Sequence, residues 1–319
     1  MTRQLSPRPS TRPADPPAGT AKIPRRRWTA RSRRDFLVFL AMALPNLVLI
    51  AVFTYRPLLS NMYYSTLDWT LGSPTATVVG LDNYVTFFSS NDAPKVLGTT
   101  AVFTLVTVGG SMVLGLLVAL ALNAKVRGTT FARSAVFAPY VLSGVGVGLV
   151  WLFIFDPGYG VLAWLLRGLG QQSPQWINDP QLSLVMVILV YVWKNLGYCA
   201  VVYLAGLQSL PKEVMEAASL DGANGFRRFM AISLPLLSPT TFFLLITTML
   251  SSLQAFDLIR IMTPLGSGTS TLIYEAYLQA FGAYNRAGYS AAISVVLFAI
   301  LLVITVLQLR FVERKVHYS

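Results

Sequence analysis

The sequence predicts an all-α membrane protein with six transmembrane helices. Three observations carry this. Of its 319 residues 54% are hydrophobic and only 12% charged, where a soluble domain carries about 25% charged residues. Mean hydropathy is +0.59. Apolar runs of about 20 residues, the length that crosses a bilayer, recur along the chain. Cys199 is the only cysteine and His317 the only histidine. An intrachain disulfide is therefore excluded, and a Cys/His zinc cluster is out of reach.

Residues 1–34 come first. They hold ten Lys/Arg against the single acid Asp15, together with six prolines. So little apolar surface cannot offset the entropy of ordering, which predicts a disordered basic tail lying against anionic lipid headgroups rather than on nucleic acid. Ala41-Met42-Ala43 looks like a signal-cleavage site, but the apolar run passes it unbroken to Tyr55, so an uncleaved first helix is expected. The six apolar segments are Asp35 to Tyr55, Leu97 to Leu122, Phe131 to Phe155, Leu182 to Leu207, Leu234 to Leu258 and Tyr289 to Leu309.

The connections set the orientation. With the N-terminus inside, the inside segments hold 19 Lys/Arg and the outside loops 3, namely Lys95, Arg167 and Arg286. Such a bias predicts that both termini are cytoplasmic. The long outside loops, 58–96 and 156–181, contain Trp69, Trp164 and Trp176, either interface anchors or a surface for an external partner. No internal repeat of useful length is visible, which argues against a secondary transporter built from duplicated halves.

Catalytic chemistry is hard to find. No lysine follows a glycine, so there is no phosphate-cradling GK[ST] loop. The Gly144-Val145-Gly146-Val147-Gly148 run sits in an apolar helix, where small residues four apart let helices approach closely. Polar residues inside the membrane are costly enough to be informative. Lys194 and Asn195 lie mid-way along the fourth segment, with Tyr198 one turn on. Gln254, Asp257 and Arg260 follow one another at three-residue spacing near the end of the fifth, on one face of a continuous helix. Asn46 adjoins Pro45 in the first. For each, two readings stay open: internal pairing, such as Asp257 with Arg260, or the wall of a permeation path.

The connection between segments four and five is the most distinctive stretch. Pro211 suits a first helical turn, and Glu213 and Glu216 suit the positive end of that helix. Gly222 can end it with a positive φ, and Gly225 and Phe226 restart a helix leading back to the membrane. Taken alone, this describes a short interfacial helix with a glycine turn, a shape an ordinary linker shares.

The same residues resemble the coupling loop of binding-protein-dependent ABC importer permeases. The family pattern is matched by Glu216-Ala217-Ala218, Asp221-Gly222-Ala223, Phe229, Ile232 and Pro235. Gly80-Leu81-Asp82-Asn83-Tyr84, Val192-Trp193-Lys194, Asp257 with Thr271-Leu272-Ile273-Tyr274, and the C-terminal stretch from Gln308 to Tyr318 resemble the carbohydrate-uptake branch, most of all the A-type permeases of glycerol-3-phosphate importers. The likeness covers residues 35–318. It implies a type I ABC importer transmembrane domain over 35–319 with a coupling loop at 209–233, in a bacterial inner membrane. By this resemblance Glu216, Ala217, Ala218, Asp221 and Gly222 meet an ATPase. Glu216 faces basic ATPase residues and Gly222 permits the turn.

The resemblance further implies a homologous second permease, two ATPase subunits and an extracellular solute-binding protein. ATP and Mg would sit on the ATPases, and this chain would bind no cofactor and catalyse nothing. Lys194, Asn195, Tyr198, Gln254 and Asp257 become candidates for the solute path. A sugar or polyol phosphate is the expected solute, glycerol-3-phosphate or a glycerophosphodiester first, with a neutral oligosaccharide or disaccharide as the alternative. An ion-coupled secondary transporter is the alternative of another class, with Asp257 its only candidate carrier.

Overall fold

A computed structural model describes residues 30–124, 128–222, 224–266 and 268–312. Most of the basic tail (1–29), Lys125 and Arg127, Ala223 of the loop pattern, and the C-terminal stretch from Glu313 with His317 lie outside the described residues.

The chain divides into two compact units, Met1–Arg56 and Pro57–Ser319. In the first, α1 (Ala30–Ile50) begins five residues ahead of the apolar run, so residues 30–34, expected in the disordered tail, are helical. Pro45 lies inside α1, and a π turn follows at Ala51–Tyr55. The helix continues as α2 (Arg56–Tyr64), making a continuous apolar helix from Arg34 to Tyr64, longer than the run predicts.

The second unit opens with a small hairpin, β1 (Leu67–Asp68) and β2 (Thr77–Val78), paired antiparallel with Leu67 opposite Val78. The Gly80–Tyr84 element holds it. Gly80 turns the chain at φ +61°, ahead of α3 (Asp82–Ser89). Buried Asn83 donates to the carbonyls of Ser65 (3.0 Å) and Leu67 (2.9 Å). Two tryptophans of the outside loops turn inward. Trp69 donates to Ser73 O and packs on Tyr64, while Trp176 packs on Phe155. Trp164 stays exposed.

The frame is α4 (Ala93–Asn123), α5 (Thr129–Val141), α6 (Gly144–Phe155), α7 (Val161–Gly168) and α8 (Pro180–Gln208). The α8 helix starts where Asp179 accepts from the amides of Gln181 and Leu182, with Pro180 in the first turn. A Cβ on Gly115 of α4 would stand 2.5 Å from Cys199 Cβ of α8, so these two helices meet almost backbone to backbone. Cys199, Tyr203, Leu204, Leu237 and Leu244 bury one core around that contact.

Next come α9 (Lys212–Leu220), α10 (Gly225–Arg228), α11 (Leu234–Leu236), α12 (Ser238–Leu253), α13 (Asp257–Met262), α14 (Leu272–Phe281) and α15 (Ala287–Leu307). Gly288 lets α15 reach the hairpin, since a Cβ there would stand 1.8 Å from Leu67 O.

Among the described residues five helices are long and apolar enough to cross a membrane, or six if α5 and α6, bent by 98° at their break, are one span. Two expectations change here. Segment three is not one helix: Pro139 lacks an amide donor, and Leu142 and Ser143 run extended before α6 starts. Segment five breaks at Gln254–Phe256, so Gln254 and Asp257 do not share the face of one continuous helix.

Candidate functional site

The break between α5 and α6 leaves the last carbonyls of α5 without amide partners inside an apolar span. Lys194 supplies the missing donors from mid-α8. Its Nζ donates to the carbonyls of Tyr140 (2.7 Å), Leu142 (2.9 Å) and Pro139 (3.4 Å). An ammonium has three donors, and here each has a carbonyl. The same charge lies 5.5 Å from the centroid of the Tyr140 ring, which stacks on Tyr198 at 4.9 Å. One turn from Lys194, Gly197 lets α8 touch α5 directly: a Cβ there would stand 2.1 Å from Val136 O.

The opposite end of the break is answered by a carboxylate. Gly144 and Gly148, four apart on α6, face α13. A Cβ on Gly144 would stand 3.0 Å from Asp257 Cβ and 3.4 Å from its Oδ2, and one on Gly148 2.9 Å from Ile261 Cγ2. Gly146 faces open space. Asp257 thus sits at the positive N-terminus of α6 while Lys194 sits at the negative C-terminus of α5, each sign where the helix dipole favours it.

Lys194, Asn195, Gln254 and Asp257 line one cavity of about 280 Å³, with Tyr191 and Phe256 among its walls. Tyr198 lies beside it, sharing with Asn195, Ser111 and Thr248 a void of about 10 Å³. The Asn195 amide donates to Tyr191 O (2.8 Å), and Tyr198 Oη to Thr247 Oγ1 (3.4 Å). The pairing of Asp257 with Arg260 left open from sequence does not form. The Arg260 guanidinium stands 4.9 Å from the Tyr277 ring centroid instead, and among the described residues the one ion pair is Lys95–Asp92 at the surface. A backbone carbonyl as partner of Lys194 is compatible with the sequence, but which carbonyls it meets is not readable there, although Pro139 in an apolar run, five residues before Gly144, was the available signal.

The 209–233 loop is a helix, a turn and a helix. Within α9, Ala218 is buried, whereas Glu216 and Ala217 are exposed, as are Asp221 and Gly222 beyond it. Gly222 has φ +75° and meets nothing within 4 Å, so the backbone conformation alone requires glycine. The restart at Gly225 is capped by Asn224, a residue missed in the sequence, whose Oδ1 accepts from Arg227 N at 2.8 Å. A π turn at Phe229–Ser233 then leads into α11.

Long apolar helices, with a polar cavity beside the break between α5 and α6, define a multi-pass membrane protein. Residues 111–318 match the family of binding-protein-dependent transport system inner membrane components, and the chain belongs to that family. It is 37% identical over 278 residues to the sn-glycerol-3-phosphate transport system permease protein UgpA of Agrobacterium fabrum, covering 86% of this chain and 94% of that one. The protein of the same name from Yersinia pestis is 34% identical over 281 residues, with 87% and 95% covered. Among solved structures, a bacterial ABC transporter involved in the import of the acidic polysaccharide alginate superposes with a TM-score of 0.78 at 23% identity, over 88% of this chain and 96% of that one. A bacterial alginate ABC transporter in complex with an alginate pentasaccharide-bound periplasmic protein gives 0.79 at 23% identity, with 92% and 99% covered. The chain is therefore an inner-membrane permease with the ABC-importer transmembrane fold, a transport component and not an enzyme.

Proposed function

We propose that this permease imports a sugar or polyol phosphate, glycerol-3-phosphate or a glycerophosphodiester first. The observation that carries this reading is the 37% identity, across 86% of the chain, to a permease named for sn-glycerol-3-phosphate. The chain pairs with a homologous permease, because one six-span unit offers only part of a cavity wall. Two ATPase subunits hold ATP and Mg, and this chain holds no cofactor. An extracellular solute-binding protein delivers the solute. Both termini lie in the cytoplasm, a reading supported by the excess of Lys/Arg on the inside segments.

Glu216, Ala217, Ala218, Asp221 and Gly222 carry the ATPase stroke. ATPase closure pushes α9, and the turn at Gly222 passes the motion through α10 to α12. Lys194, Asn195, Tyr198, Gln254 and Asp257 form this chain's wall of the solute path. A neutral oligosaccharide is the second reading, favoured by the fact that all three Lys194 donors are already held by carbonyls.

Uptake of radiolabelled glycerol-3-phosphate and of maltose by cells expressing the complete transporter separates these readings. Saturable, ATP-dependent uptake of the phosphate ester alone is expected. Uptake of maltose alone would overturn the phosphate reading.

A further inference from the structure

Cations gather on the loop face of the second unit. Arg133 of α5, Lys212 of α9 and Arg228 of α10 line one cavity of about 630 Å³ at the ends of α4 and α8. Glu216 is the only carboxylate among the described lining residues. None of the three cations forms an ion pair among the described residues. Moreover, Nε of Arg133 is buried without a hydrogen-bond partner. A buried donor on a permanently charged guanidinium is costly until an acceptor arrives, and the planar fork suits an oxyanion. Basic pockets between helices at a membrane face receive phosphate headgroups by this chemistry.

We propose that the cavity bounded by Arg133, Lys212 and Arg228 binds an anionic phosphate ester. Two sources share that chemistry: the phosphodiester headgroup of an anionic lipid, and a soluble phosphate from the aqueous side. Occupancy ties α5 to α9 and α10, which links the ligand to the position of the loop. The site does not rest on the solute assigned above, and it shares Glu216 with the coupling loop.

The test uses the full-length chain with its co-purifying subunits in detergent. Native mass spectrometry reads retention of phosphatidylglycerol against phosphatidylcholine, and calorimetry reads binding of inorganic phosphate. Preferential retention of phosphatidylglycerol assigns the lipid source, and saturable phosphate binding assigns the soluble one. In either case the double variant Arg133→Gln/Arg228→Gln weakens binding by about tenfold or more. Arg133→Lys, which keeps the charge, retains part of it. A control pair on the outside loops, Lys95→Gln/Arg286→Gln, changes nothing. Should the double variant fail to fold, Lys212→Gln carries the same comparison. Lack of preference for either probe, or binding undiminished by the loss of these cations, overturns the proposal.

Discussion

Lys194 Nζ lies 2.7 Å from the carbonyl oxygen of Tyr140, so a lysine in the middle of one span closes the open end of a helix in another. A charge at that depth is tolerated because the broken span offers it three acceptors, and the break is tolerated because the charge is there. The two features stabilise each other across 54 residues of sequence.

Lys194→Met tests that dependence, since it keeps the stem and removes the donors. Carbonyls left unpaired in an apolar span cost about 1–3 kcal/mol in total stability. A lower unfolding temperature in detergent is therefore expected, together with reduced uptake of every solute the transporter carries. An unchanged melting temperature with uptake lost for phosphate esters alone would make Lys194 a counter-charge for the solute and not a clamp.

Two glycines in neighbouring helices should behave oppositely. Gly197→Ala drives a methyl against the backbone of Val136, where a Cβ would stand 2.1 Å from the carbonyl oxygen. Helices must separate to admit it, at a cost of about 1–3 kcal/mol or more. Gly146→Ala meets nothing within 4 Å and should be neutral or slightly stabilising. Thermal unfolding of both variants checks the pair, and equal effects would refute the close α5–α8 contact.

Asp257 serves the N-terminus of α6, a charge–dipole contact worth about 0.3–1 kcal/mol, and up to about 2 where partly buried. Asp257→Asn should slow uptake without changing its energy source. Vesicle uptake by this variant, and by the parent, should survive collapse of the proton gradient and require ATP. Dependence of the parent on the gradient would restore ion coupling through Asp257.

How much of this was legible beforehand depends on the range of the interaction. The turn of the loop could be read locally, because Gly222 acts through its own backbone conformation and does take a positive φ. Apolar length likewise reveals spans. The 98° bend at Leu142 and Ser143 could not be read as a break, because a proline in an apolar run is equally compatible with a mild kink. What decides the matter is Lys194, far away in sequence. Spacing of three also suggested that Asp257 meets Arg260, but the chain breaks just before Asp257, and Arg260 turns to Tyr277.

The central claim is that the loop at 209–233 transmits the ATPase stroke, and Gly222→Val tests it most directly. Valine at φ +75° is strained by roughly 1–3 kcal/mol, enough to displace a turn with no packing around it. The measurement is solute uptake by proteoliposomes holding the complete transporter, alongside Glu216→Ala and with membrane insertion and ATPase association quantified. Gly222→Val should insert normally and lose uptake, and Glu216→Ala should hold the ATPase more weakly. Normal uptake by both variants would contradict the coupling role.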